Sequence, residues 1–484
     1  MGKVGSKELG TRMNNGFRFW TACFAAIVLG GPLAVIAAAA DEDKATMTAD
    51  EVKKIPGLEL WVAAEDLNGK EGDAVTKWPD RTPHHWDLSS AGGKHALALK
   101  AMNGRPAVHF DGSQNGKNDG PFGAMLTDAK FFDATWKGPM SIFLVARQDI
   151  NPGPEAHQTV IWSADSPAAR DKLSGLIWHN REGYWIGLHW IKDLWNCQCG
   201  DPMVTNVYGL SSDGALEQDW INGMEYSRPI VKGSPESRGA FCLGNHIVVH
   251  NGAQQFGGYI SEVLVFKRGL TRKECQAVNG YLLHEYGKTG KQIVLEGHSQ
   301  FNTLAWQLDK RLPGWDINNV AIGGTGLHGW ADQVREKFEG AVRPGVENIA
   351  IVAGGDNTVG NDDAQVERAE KNYKRWSLTL REMGWKTIVS TTPPRTPNKA
   401  YPLYEEHRQK LNAWLREHYK EFADGLYDID AIKELSDPKN PKYYKPDGVH
   451  LTIPGYEMTA DEIAKVIQAV AKGDNAIRKN ANNR

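Results

Sequence analysis

Cysteine is scarce in this chain of 484 residues, which has five: Cys23, Cys197, Cys199, Cys242 and Cys275. Cys197-Gln198-Cys199 is too tight for a C-x-x-C pair, so a thiol redox motif and a zinc knuckle are excluded on spacing. The last four cysteines allow three disulfide pairings, and nothing in their spacing selects one. Net charge is also small: 56 Lys and Arg stand against 59 Asp and Glu, a formal −3. That balance speaks against nucleic acid or an anionic membrane surface as the main partner. There is no internal repeat, no phosphate-binding glycine loop and no cluster of His, Asp and Glu at metal-ligand spacing, so no cofactor is predicted. The sole biased stretch is the polar tail at 475–484.

Long apolar runs are confined to the N-terminus. Lys3, Lys7, Arg12 and Arg18 precede an apolar stretch at 19–36, broken by Gly30-Gly31-Pro32 and followed by Ala37 to Ala40 and an acidic Asp41-Glu42-Asp43. Basic, apolar and small-residue zones in that order predict a signal peptide over 1–40, cleaved after Ala40, and hence a secreted or periplasmic protein. An uncleaved membrane anchor is the competing reading, because the apolar run approaches spanning length. Cys23 has Trp20 where a lipobox would place Leu, so no lipid attachment is expected.

The remaining length exceeds one ordinary core, and the pattern changes once. After a linker at 41–55, residues 56–287 hold many short apolar or β-branched runs, such as 58–62, 141–145, 159–162 and 260–266, separated by Gly, Asn, Asp and Pro. This pattern predicts an all-β sandwich. It closes with a helix at 271–286, stopped by Gly287. Seventeen tryptophans suit either a large core or a sugar-stacking platform. A second polar linker is placed at 288–292. From 293 to 473, strands at 293–295, 317–322, 349–352 and 387–389 alternate with helices near 301–312, 328–341, 363–383, 402–420 and 454–472. Alternation of this kind predicts an α/β domain, a parallel sheet covered on both faces.

The chemistry gathers in that second half. In Asp447-Gly448-Val449-His450 a carboxylate sits three residues before an imidazole, close enough to hold Nδ1–H and leave Nε2 free as a base. Upstream, Gly297-His298-Ser299 follows an apolar strand and precedes a helix, where open α/β sheets keep their sites. Taken singly, Ser299 reads more simply as a helix N-cap. Gly323-Gly324 at the next strand end lets backbone approach a substrate, with the Gly324 N–H as an oxyanion donor. Asn357, in Gly355-Asp356-Asn357-Thr358, offers a side-chain donor at a third strand end; alone it reads equally as a turn Asn.

The order Ser299, Gly324, Asn357, Asp447/His450 resembles the SGNH (GDSL-type) hydrolases over about 291–472. The resemblance implies a flavodoxin-like three-layer fold and acyl transfer without a metal. Ser299 would be the nucleophile, His450 the base and Asp447 its orienter. The Ser299 and Gly324 N–H groups and the Asn357 side chain would form the oxyanion hole. Two positions depart from the family pattern. His298 stands where the family has Asp, and is expected to brace the nucleophile turn; Thr358 stands where the third block ends in Asp.

The first half resembles LamG-like, concanavalin A-like jelly-roll domains. The carrying segments are Trp78-Pro79-Asp80, 103–112, 258–266 and the helix closing at Gly287. Such domains bind carbohydrate, and sometimes calcium, or support a neighbour; no carboxylate spacing here calls for calcium. Together the halves imply a secreted esterase deacylating a polysaccharide. A lipid esterase and a non-catalytic glycan-binding protein with a decayed hydrolase half are the alternatives.

Overall fold

A computed structural model describes residues 47–112, 123–136, 139–149, 157–162, 175–179, 185–189, 203–213, 216–229, 237–245, 255–287, 290–301, 304–321, 324, 326–327, 334–343, 345–397 and 399–473. The expected signal segment, Cys23, Cys197, Cys199 and the polar tail lie outside these residues. Cys242 and Cys275 are free, buried thiols. Among the described residues no helix is long and apolar enough to cross a membrane.

In the first half, the apolar runs are buried on both faces. The strands Leu58–Ala63, Met140–Gln148 and Gly257–Phe266 belong to an eight-stranded antiparallel sheet. Leu60, Val62, Ile142, Leu144, Val263 and Val265 pack with Trp78, Leu88, Met125 and Leu243 of a second, seven-stranded antiparallel sheet. The alternate residues Trp61, Phe143, Val145, Leu264 and Phe266 pack instead with Val278, Leu282 and Tyr286 of the helix Arg272–Tyr286. One sheet thus has a sheet on one side and a helix on the other, which is why these runs are apolar without a break.

The helix begins where its sequence dictates. Thr271 caps it and Glu274 completes a capping box. Its end differs from expectation: Gly287 is not left-handed, with φ −65°. A side chain there would lie 2.5 Å from the Leu283 carbonyl and 2.6 Å from the Arg343 guanidinium, so the glycine serves close approach.

Two expected linkers are shorter than the spacing implied. Residues Ala49–Val52 form a helical turn, and Val52 and Ile55 bury themselves beside Trp61. Strand Lys291–Glu296 begins within the second linker. The described residues fall in a single compact unit. The turn at Gly223 fits against Gly340, where an added Cβ would lie 2.8 Å from the Gly340 carbonyl, and the Asn318 side chain donates to the Ile221 carbonyl at 3.1 Å.

The second half is a five-stranded parallel sheet in the order Asp316–Asn319, Lys291–Glu296, Glu347–Val352, Lys386–Ser390, Gly425–Tyr427. Ile293, Leu295, Ile349, Ile351 and Ile388 face the helices Leu304–Arg311 and Ile453–Ala471. Val294, Ala350, Val352 and Val389 face Asp363–Glu382 and Tyr404–His418. The strand expected over 317–322 ends at Asn319, and the last strand, Gly425–Tyr427, was not expected. Of the helix expected over 328–341, the described residues show Val334–Phe338 and a 3-10 turn, Glu339–Ala341. Strand order reverses between Lys291–Glu296 and Glu347–Val352, and sites in open sheets form outside the carboxyl ends of strands at such a point.

Candidate active site

Ser299 and Asn357 follow the two strands that flank this switch point. The chain leaves strand Lys291–Glu296 through Gly297, and Ser299 opens a 3-10 turn, Ser299–Phe301. A Cβ on Gly297 would lie 2.6 Å from the Ala353 carbonyl, so only glycine lets the Ser299 turn press against the end of strand Glu347–Val352. Asn319 ties the turn from the other side: its side-chain N–H donates to the Phe301 carbonyl at 3.0 Å and its oxygen accepts from the Ala321 N–H at 3.1 Å.

The imidazole beside Ser299 comes from far along the chain. The turn 443–452 is closed by bonds from Lys445 N–H to the His450 carbonyl, 2.8 Å, and from Thr452 N–H to the Tyr443 carbonyl, 2.9 Å. Asp447 Oδ1 accepts the Val449 and His450 backbone N–H groups, both at 2.9 Å, while Oδ2 meets His450 Nδ1 at 2.7 Å. His450 Nε2 then lies 2.9 Å from Ser299 Oγ. Burial pushes the Asp447 carboxyl up, but the imidazole and the two backbone donors outweigh it and hold the group below the usual carboxylate range. An ionised Asp447 fixes the proton on Nδ1 and leaves the Nε2 lone pair for the serine hydroxyl. The three residues named from sequence therefore meet in a hydrogen-bonded chain.

Next to Ser299, His298 is buried with Nε2 3.4 Å from Asp356 Oδ2 and its ring stacked on Phe301. The Gln300 N–H faces His298 Nδ1 at 3.5 Å. Burial pushes the imidazole down and Asp356 only partly opposes this, so His298 is neutral at pH 7. Glu296, at the strand end, is buried against Lys337 at 2.6 Å. Burial raises its carboxyl and the ammonium opposes the rise.

Thr358 is also buried. Its hydroxyl donates to the Gly354 carbonyl at 2.7 Å and accepts the Leu327 N–H at 2.9 Å, joining the Gly324 loop to the Asn357 turn. A charged Asp could not make both bonds, since an ionised carboxylate only accepts. Asn357 and Gly324 are both exposed at the carboxyl end of the sheet, and Gly324 has φ +78° with open space around it.

Sequence reasoning missed three residues. Gln300 donates its side-chain N–H to the Val449 carbonyl and so clamps the Ser299 turn to the His450 turn. Asp356, next to Asn357, faces the His298 imidazole at 3.4 Å. Arg395, from the strand end after Ser390, donates to the Asp356 carbonyl at 3.2 Å. Among the described residues no group of His, Cys, Asp and Glu could hold a metal ion.

Residues 284–458 match the model of the GDSL-like Lipase/Acylhydrolase family. This part of the chain is similar to GDSL-like acylhydrolases. No curated protein matches the chain. Among solved structures, the catalytic domain of Streptococcus pneumoniae peptidoglycan O-acetyltransferase A is 19% identical, over 38% of this chain and 96% of that one, with TM-score 0.29. The protein YXIM of Bacillus subtilis is 12% identical over 76% of this chain and 86% of its own, with TM-score 0.31. Trypanosoma rangeli sialidase is 12% identical over 47% of this chain, with TM-score 0.31, and the chain spans 33% of the sialidase's length.

Proposed function

We propose that the protein is an exported serine esterase that deacetylates a polysaccharide through an acyl-enzyme on Ser299. The observation that carries this reading is the chain Asp447–His450–Ser299, with contacts of 2.7 and 2.9 Å inside a GDSL-like domain. Ser299 Oγ attacks the ester carbonyl carbon while its proton passes to His450 Nε2. The negative charge on the carbonyl oxygen is taken up by the Ser299 and Gly324 N–H groups and the Asn357 side chain, and loss of one such donor typically raises the barrier by about 2.7–4 kcal/mol. Collapse of the tetrahedral intermediate expels the sugar hydroxyl, which leaves with the proton from His450. Water then attacks the acyl-enzyme, gives its proton to Nε2, and acetate departs as Ser299 regains its hydrogen.

The polysaccharide assignment is supported by the resemblance of the β-sandwich to concanavalin A-like jelly-roll domains and by the signal-like N-terminus, both associational grounds. The sandwich acts as a glycan-binding or supporting module. Its contact at Gly223 falls on Gly340, and the adjoining Ala341 carbonyl receives Gln292, at the start of strand Lys291–Glu296 and so at the opposite end from Ser299. That placement favours holding polymer over shaping the ester pocket. A decayed hydrolase is disfavoured because both departures, His298 and Thr358, occupy bonded positions that leave the triad contacts intact.

The test is hydrolysis of a chromogenic acetate by the wild type and by Ser299→Ala, with labelling by a sulfonyl fluoride followed by peptide mass spectrometry. Activity lost in the variant, with the label on the peptide containing Ser299, is the expected result. Equal rates for the two proteins, or an unlabelled Ser299, would sink the assignment.

A further inference from the structure

Among the described residues, no carboxylate pairs with the cation that reaches the Asp356 turn. Arg395 leaves the carboxyl end of strand Lys386–Ser390, next to the strand that carries Asn357. One guanidinium nitrogen donates to the Asp356 carbonyl at 3.2 Å, and the group lies over the Tyr404 ring at 3.4 Å and 5.7 Å from the Tyr401 ring. Among the described residues no acidic side chain pairs with it within 4 Å, so most of its donors remain open. Tyr404 is buried, while Tyr401 is 46% exposed.

The segment is fixed against both halves of the site. Thr396 N–H donates to the Gly448 carbonyl at 2.8 Å, two residues before His450. Asn361, four residues after Asn357, donates to the Ala400 carbonyl at 2.6 Å and accepts from the Leu403 N–H at 3.3 Å. The Arg395–Tyr401 pair is therefore bound at one end to the base turn and at the other to the oxyanion turn. A rigid fork of donors recognises a carboxylate through two parallel bonds, and an exposed aromatic face accepts the apolar face of a sugar ring.

We propose that Arg395 and Tyr401 form a subsite for a carboxylate-bearing sugar, so that the preferred substrate is an acetylated uronate polymer. The proposal rests on the esterase reading for its ester, though not for its binding chemistry. Arg395 grips the uronate carboxylate, Tyr401 supports the ring, and the acetyl group is presented to Ser299.

Acetate release is measured on acetylated oligogalacturonate and on the same oligomer with its carboxyls methyl-esterified. The wild type should favour the charged form by about ten-fold or more in kcat/KM, mostly through KM, as a charge-assisted pair implies. Arg395→Gln should erase the preference, Arg395→Lys should keep part of it, and Tyr401→Ala should raise KM for both forms. A merely structural Arg395 would lower both forms alike and leave their ratio unchanged. Calorimetry of non-acetylated oligogalacturonate with Ser299→Ala, with and without Arg395→Gln, reads the subsite apart from hydrolysis. Hydrolysis without charge preference, together with equal binding by the two proteins, overturns the subsite and spares the esterase. Charge-dependent binding without hydrolysis of any ester does the reverse.

Discussion

His298 Nε2 lies 3.4 Å from Asp356 Oδ2, both side chains buried directly under the nucleophile turn. The Gln300 N–H faces the other ring nitrogen, so Nδ1 accepts and Nε2 carries the proton toward Asp356. An Asp at position 298 could also accept that backbone N–H. Histidine keeps the acceptor and sets its other ring nitrogen 3.4 Å from the Asp356 carboxylate. At the position that departs from the family pattern, the imidazole is thus faced by a carboxylate from the turn that carries Asn357.

Restoring the family residue should accordingly do harm. His298→Asp sets two carboxylates against each other in a buried pocket, where one must take up a proton or the turns must part. Thermal denaturation should show a lower Tm, and kcat on a small acetate should fall about ten-fold or more as Ser299 loses its support. Adding Asp356→Asn removes the second charge and should recover part of both losses. His298→Asp with wild-type Tm and kcat would show that the pair is incidental.

The same histidine sets a pH limit on stability. Its folded pKa lies below the unfolded value of about 6.5, so the unfolded chain binds more protons in between. Its contribution is fully present above about pH 6.5 and is lost as pH falls through the folded pKa. Glu274 acts elsewhere: the Arg268 guanidinium foremost, against burial, holds its carboxyl at about 2, so its contribution is present above about pH 4.5 and lost below. Between pH 7.5 and 5, Tm should fall in the wild type and fall less steeply in His298→Gln. Some slope should survive, because burial also pushes His95 of the sandwich down. Identical slopes would assign the acid limb to other groups.

Gln300 couples two catalytic turns that are 149 residues apart in the chain. Gln300→Met keeps the volume and removes the donor to the Val449 carbonyl. Ser299 and His450 then lose the clamp between their backbones, and an ångström of drift at a reacting pair costs up to about a hundred-fold. Stopped-flow or steady-state assay on a chromogenic acetate should show kcat down roughly ten- to a hundred-fold with KM little changed. A selective rise in KM would mean that Gln300 acts on substrate binding.

These contacts also mark the limit of what the sequence discloses. Asp447 and His450 were legible because their hydrogen bond closes within one turn of three residues. Ser299 was legible by its place after an apolar strand, and the three-layer domain by the alternation of strands with helical periods. Gln300, Asp356 and Arg395 were not, because their partners come from other strand ends. The strand Gly425–Tyr427 escaped notice because three residues are too few to show a period, and its glycine reads as a turn. There a Cβ would lie 2.7 Å from Val470, so the residue is glycine for packing against the last helix. His298 and Thr358 read in sequence as departures from the family pattern; only the fold discloses their buried partners, Asp356 for the one and Gly354 and Leu327 for the other.

Gly448, between the orienter and the base, is the most constrained glycine of the site. Its φ is +62°, and an added Cβ would lie 1.8 Å from Thr396 Oγ1 and 2.7 Å from Thr396 Cβ. Gly448→Ala therefore meets two separate obstacles, a left-handed backbone and a collision with the segment that carries Arg395. The first alone costs about 1–3 kcal/mol, and relief by shifting the turn would pull Asp447 away from His450 Nδ1. Expected are a lower Tm and a kcat reduced at least ten-fold. Combining it with Thr396→Gly removes the collision and leaves the backbone strain, so kcat should recover in part while Tm stays below wild type. If Gly448→Ala alone kept full kcat, the Asp447–His450 geometry would not depend on this turn, and the segment bearing Arg395 would be free to move without consequence for the triad.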